Sequence, residues 1–286
     1  MSSASPIIQP DDAAEAFVAD LERRAGRFET PCAGGPITWR AWGSGPPVLL
    51  AHGAQGAWSH WIRNIDALAE ERTVWAVDLP GSGDSALAES KDHASISAAL
   101  AAGISQLIGN APIDLVGFSF GGVAFAHLAA YHPELARRLI LIGTGGLGTP
   151  VGRVDMRPVR KLQGEERKAA HRANLLGLML HEGADDLAIR VQEMNVFRSR
   201  LDAIGLVLPD KLAAILPHVR APYDAIWGEY DRPHPPGPQE PVLRAIQPNM
   251  DFRVIADAGH WVMFERPGAF NEALLEMLSK PPREAL

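Results

Sequence analysis

One cysteine in 286 residues, Cys32, cannot close a disulfide within the chain, so a secreted scaffold held by disulfides is excluded. There is no excess of positive charge. The 34 acidic side chains outnumber the 27 basic ones and leave a formal charge of −7, the opposite of a general nucleic-acid-binding surface. His-Glu-x-x-His, His-x-His-x-Asp-His and paired cysteines are all missing, so no metal is expected. No segment reads as a membrane span. The charge-free stretch Ala94–Ile113 is long enough, but it carries Ser95, Ser97, Ser105, Gln106, Asn110 and Pro112, and is expected to be a buried helix followed by a turn. Met1–Asp12 holds no basic residue and turns acidic at Asp11 and Asp12, unlike a secretion signal. A cytoplasmic protein is expected.

What is present is an ordinary apolar fraction of 47% in a chain long enough to bury roughly three-quarters of its unfolded surface. Asp11–Arg24 spaces Ala14, Phe17, Val18 and Leu21 as an amphipathic helix. Seven strand-like runs follow: Ile37–Trp42, Val48–Ala51, Val74–Val77, Ile113–Phe118, Leu139–Ile142, Tyr223–Trp227 and Phe252–Ile255. Several are apolar without alternation, as in parallel strands covered on both faces. Helical patterns sit between them at Trp58–Glu71, Ser95–Ile108, Gly121–Tyr131 and Pro267–Leu278, so the fold class is α/β with a mostly parallel sheet. The alternation breaks between Pro150 and His218. That stretch shows helical patterns at Glu165–Leu180, Asp185–Leu201 and Lys211–Leu216, and is expected to form a lid. Proline is expected to keep Pro233–Pro241 a loop.

Gly117-Phe118-Ser119-Phe120-Gly121 lies between a strand and a helix. A serine on so sharp a turn has strained dihedrals and needs small neighbours, which Gly117, Gly121 and Gly122 supply. Its hydroxyl becomes a nucleophile only when a base takes the proton. His260, just past the last strand in Asp257-Ala258-Gly259-His260-Trp261, is placed to do so. Asp231, opening the loop after the preceding strand, is placed to orient the imidazole, with Glu229 as the near alternative. The order serine, acid, histidine fits this fold class. Gly143-Thr144-Gly145-Gly146-Leu147-Gly148 matches a dinucleotide fingerprint, but Pro150 and Gly152 follow where a helix should begin, so a loop is expected and no nucleotide cofactor.

Four motifs in order at successive strand ends give the chain its resemblance to α/β-hydrolase-fold enzymes with a helical cap, over about residues 27–278. They are His52-Gly53-Ala54, Asp78-Leu79-Pro80-Gly81-Ser82-Gly83-Asp84-Ser85, the serine turn, and Gly259-His260-Trp261. The resemblance implies a core of residues 27–149 and 219–286, a cap of 150–218, and a helical extension of 1–26. It also implies an oxyanion hole of the Ala54 and Phe120 N–H groups, with Phe118 and Trp261 beside the substrate. Serine, rather than aspartate, at position 119 implies attack on a carbonyl, with a small-molecule ester as the expected substrate and no cofactor. A narrower resemblance joins Gly145-Gly146-Leu147-Gly148 and Trp261 to meta-cleavage-product hydrolases, which split carbon–carbon bonds of dienoates and hold the substrate carboxylate with a cap arginine. Here Asn195 stands in that register, with Arg190, Arg198 and Arg200 around it. A ligand-binding protein of this fold without catalysis is a third possibility.

Overall fold

The computed structural model describes residues 10–281. Eight strands form one sheet: β1 (Gly26–Thr30), β2 (Ile37–Trp42), β3 (Pro47–Ala51), β4 (Thr73–Val77), β5 (Ile113–Phe118), β6 (Ala136–Ile142), β7 (Tyr223–Gly228) and β8 (Phe252–Ile255). Their spatial order is β1-β2-β4-β3-β5-β6-β7-β8. β1 and β2 run antiparallel to their neighbours, and from β4 to β8 every pairing is parallel. The two apolar clusters lie one on each face: Leu49, Leu115 and Leu141 point to one, and Leu50, Val116 and Ile140 to the other. That is why the central strands read as unbroken apolar runs.

All seven expected strands form. The eighth, β1, is an edge strand whose first four residues are exposed, so no apolar pattern announces it. β6 begins three residues early because Arg137 and Arg138 belong to it, and Arg137 pairs with buried Asp114 on β5. The charge-free stretch is the helix His93–Leu107 and a turn, as expected. Among the described residues no helix is long and apolar enough to cross a membrane.

Two expectations are corrected. Pro233–Pro241 is not wholly a loop, because a helix runs over Pro236–Ile246. Pro236 and Pro238 fall in its first turn, where the N–H lost to proline has no intrahelical partner anyway, so only Pro241 costs a bond. Trp58–Glu71 is not one helix but a 3-10 turn, Trp58–Trp61, and a short helix, Ile65–Ala69. Trp58, Ser59, His60 and Trp61 are all buried, and tertiary bonds fix the break: Trp58 N–H donates to Asp78 Oδ1 at 2.8 Å, and Asn64 Nδ2 donates to Met263 O and Asn271 Oδ1, both at 2.8 Å.

Between β6 and β7 the chain forms helices at Gly164–Asn174, Asp186–Arg198, Ile204–Val207 and Lys211–Ile215. The first runs on into a π-helical turn, Leu175–Met179. Asp185 caps the second, its carboxylate accepting Ala188 N–H at 2.8 Å. The glycine-rich segment after β6 stays a loop, and the next helix starts only at Gly164. The N-terminal helix Pro10–Arg24 buries Val18 and Leu21 in the core, and its Glu15 pairs with Arg190 of the inserted segment.

Candidate active site

The carboxyl ends of the parallel strands carry the candidate residues. Ser119 sits between β5 and the helix Phe120–Tyr131 with φ 51° and ψ −118°, a conformation that a non-glycine residue holds only under constraint. Its N–H donates to Ile142 O at 2.8 Å, and its carbonyl accepts Gly122 N–H at 3.0 Å. Gly117 has to be glycine: a Cβ there would lie 2.5 Å from Gly121 O and Gly122 N. The strain is thus held by bonds on both sides of the turn and by the absence of side chains beneath it.

His260 and Asp231 meet as the sequence implied. His260 Nδ1–H donates to Asp231 Oδ2 at 2.8 Å, and both residues are buried. This bond fixes the tautomer and leaves Nε2 as the basic nitrogen. The second Asp231 oxygen accepts His234 N–H at 2.8 Å. Burial pushes the Asp231 carboxyl above its usual range, while His260 and the His234 N–H pull it back. Glu229 is not the partner. It is exposed and accepts Asp257 N–H at 3.2 Å, outside the site. Gly143 closes over the pair with φ 49°, where a Cβ would come within 3.0 Å of Asp231 Oδ2 and 3.2 Å of His260 Nδ1.

Beside Ser119, a Cβ on Gly53 would lie 3.2 Å from Ser119 Cβ, so the turn after β3 abuts the serine turn. Among the described residues the N–H groups of Ala54 and Phe120 donate to no backbone carbonyl, which leaves them available to an oxyanion. Two histidines that the sequence left without a role hold this turn. His52 Nδ1–H donates to Gly53 O at 2.7 Å while its Nε2 accepts Leu79 N–H at 2.9 Å, and His60 Nδ1 accepts Gly53 N–H at 3.3 Å. Burial holds both imidazoles below their usual pKa, so they act as neutral braces. Their signal is faint: a histidine just before the glycine of the turn, and another seven residues after that glycine.

Ser119, His260, Gly53, Ala54, Phe118 and Phe120 all line one cavity of about 360 Å³. Trp261, expected at the substrate, is not among its lining residues. It is fully buried, its Nε1–H donates to His60 O at 2.8 Å, and its ring stacks on Phe264 at 4.1 Å. Its N–H donates to Met179 O at 2.7 Å, tying the histidine loop to the inserted segment. That segment supplies the facing wall with Val151, Val154, Met156, Leu178 and Ile204. An outer chamber of about 700 Å³, sharing Ala54, Met156, Leu178, Ala203 and Ile204 with the cavity, carries Arg157, Arg160, Lys161 and Arg200. His234, which the sequence passed over, is nine-tenths buried and also lines the inner cavity.

A family model described as "Alpha/beta hydrolase family" matches residues 48–273, which hold all of these groups except the N-terminal helix and the first two strands. The chain belongs to the alpha/beta hydrolase family. This hydrolase is 30% identical over 257 residues to a 2-hydroxy-6-oxononadienedioate/2-hydroxy-6-oxononatrienedioate hydrolase of Paraburkholderia phymatum, a match covering 83% of this chain and 85% of that one. Among solved structures, a thermophilic esterase from Thermogutta terrifontis superposes with a TM-score of 0.70 at 24% identity, covering 89% and 98% of the two chains. A bacterial membrane phospholipase A superposes with a TM-score of 0.75 at 24% identity, covering 93% and 91%. Both share this hydrolase's fold.

Proposed function

We propose that this chain is a serine hydrolase that cleaves a carboxylic ester through an acyl-enzyme, with residues 150–218 as a cap over the reacting bond. The observation that carries the reading is the strained Ser119 turn opening into a cavity that His260 shares, with Asp231 bonded behind the imidazole. Ser119 Oγ attacks the ester carbonyl carbon as His260 Nε2 takes the hydroxyl proton. Asp231 holds the ring in place and stabilises the imidazolium. The carbonyl oxygen becomes an oxyanion facing the Ala54 and Phe120 N–H groups and the start of the helix Phe120–Tyr131, whose dipole favours negative charge. As the tetrahedral intermediate collapses, His260 returns the proton to the leaving alcohol. Water, deprotonated by the same nitrogen, then releases the acid. Among the described residues no hydrogen bond joins Ser119 Oγ to His260, and attack requires the two to come within reach in the substrate complex. Protons and electrons balance without a cofactor.

The second reading is carbon–carbon hydrolysis, favoured by the name of the Paraburkholderia relative. The cap arginines speak for the ester instead. Arg190 pairs with Glu15 and Arg198 with Asp84, and Arg200 donates to the carbonyls of Gly83 and Ser85. None of the three lines the inner cavity. A fluorophosphonate probe should label Ser119, and Ser119→Ala should lose both the label and turnover, the latter by about 10⁶-fold. A labelled enzyme that turns over a dienoate diketone acid rapidly and aryl esters negligibly would establish the second reading. An unlabelled Ser119 would remove both, leaving a ligand-binding role.

A further inference from the structure

Three buried histidines surround the reacting groups, and they spend their nitrogens differently. His52 uses both ring nitrogens on backbone groups, and His60 uses Nδ1 on Gly53 N–H. His234 uses neither. Its backbone is clamped on both sides, the N–H by Asp231 Oδ1 at 2.8 Å and the carbonyl by Trp227 Nε1–H at 2.9 Å. No hydrogen bond reaches its ring among the described residues. The ring lines the inner cavity with its centroid 5.7 Å from that of His260. Its Nε2 edge lies over Gly145, where a Cβ would come within 2.5 Å, and Val207 is the next neighbour. The rest of the wall is mainly apolar: Val151, Val154, Met156, Leu178, Val207 and Leu208. Unlike Nε2 of His60 and the ring nitrogens of His127 and His171, the His234 nitrogens are not sealed from solvent, so a polar group in the cavity can reach them.

We propose that His234 is a specificity residue whose imidazole hydrogen-bonds an uncharged oxygen of the substrate, an ether, keto or hydroxyl oxygen placed a few bonds from the scissile carbonyl. The proposal rests on the ester-hydrolase reading above. Burial, together with the neighbouring His260, pulls the His234 pKa down to about 3. The ring is therefore neutral at working pH, with one donor and one acceptor. Neutrality also fits its place: a second cationic ring beside His260 would oppose the imidazolium that forms there during attack. The substrate class that follows is an apolar ester with one oxygen function near the reacting bond. A plain hydrocarbon acyl or alkyl ester of the same shape would leave the imidazole unpaired.

The test uses isosteric pairs that differ by one oxygen for one methylene. On the acyl side these are p-nitrophenyl methoxyacetate and p-nitrophenyl butyrate, and on the alcohol side 2-methoxyethyl acetate and butyl acetate. Each kcat/KM is divided by the ester's rate with hydroxide. The wild-type enzyme should favour the oxygenated ester in at least one pair. In His234→Val that preference should fall about tenfold, the worth of one neutral hydrogen bond. His234→Asn, which keeps a donor and an acceptor, should retain part of it and serves if the valine variant does not fold. Preferences within twofold of wild type in both pairs, with Ser119 still labelled by fluorophosphonate, would overturn the role of His234 alone. A wild-type enzyme that neither takes up the probe nor hydrolyses any of the four esters would overturn the ester reading, and this proposal with it.

Discussion

The strand-end side of the cavity differs from the side built by residues 150–218 in how its groups are held. On the first, polar groups are fixed by specific bonds: Ser119 by Ile142 and Gly122, Gly53 by His52 and His60, and His260 by Asp231. On the second, the wall is made of apolar side chains, and Val151, Met156 and Ile204 keep 47%, 43% and 68% of their surface exposed. Bonded geometry tolerates little displacement, whereas apolar contact tolerates exchange of one shape for another. In the proposed reading the reaction belongs to the first side, while the second shapes the substrate's surroundings and His234 adds one polar contact.

Asp231→Asn strikes the bonded side most directly. It should lower kcat by about 10⁴-fold with a nearly unchanged melting temperature, since the wrong tautomer of His260 is then favoured. A loss of less than tenfold would break the comparison at its stronger end.

Arg40 is next. It is 1% exposed and pairs with Asp78, Asp84 and Glu22, and Asp78 in turn accepts the N–H of Trp58. Arg40→Ala leaves the buried Asp78 carboxylate with the N–H groups of Trp58 and Asp84 but no cation, and should cost about 3–5 kcal/mol in denaturant unfolding.

A smaller effect comes from pH. Burial holds His127 and His234 at a pKa of about 3. Both values lie below the unfolded value near 6.5, so the unfolded chain takes up protons first. This contribution to stability is complete above about pH 6.5 and is lost as pH falls, by about 1 kcal/mol for each histidine at pH 5.5. His127→Phe, away from the cavity, should flatten the fall in melting temperature between pH 7 and 5.5. An unchanged slope would show that His127 takes up no proton on unfolding.

The smallest effect is expected on the apolar side. Ile204→Ala should lower kcat/KM for long esters by about two- to fivefold and leave the melting temperature unchanged. A hundredfold loss of kcat would mean that the inserted segment takes part in the chemistry, and the contrast would fail.

The same contrast explains what the sequence discloses. Glycine at 117, 121 and 122 around Ser119 is demanded by local sterics, so that turn is legible without a structure. Buried on both faces, β3 and β5 announce themselves by composition. By contrast, β1 is polar and exposed, and only its pairing with β2 makes it a strand. Nothing local separates Asp231 from Glu229, two residues apart. Burial and the reach of His260 do so. His234 escapes notice because its meaning lies in the bonds it does not make, which no spacing records. Trp261 misleads for the opposite reason: being next to His260 in sequence does not put its ring in the cavity wall when that ring is held by His60 and Phe264.

The N-terminal helix carries a consequence for how the chain is made. Glu15 and its partner Arg190 are 175 residues apart. At typical synthesis rates, on the order of ten to thirty seconds separate the emergence of the two. Over that interval Val18 and Leu21, which end in the core, lack part of their final surroundings. The helix is thus anchored in two stages: Arg40, Trp42 and Asp66 reach Glu22, the Leu21 carbonyl and Arg24 early, and Arg190 reaches Glu15 only when the middle of the protein arrives.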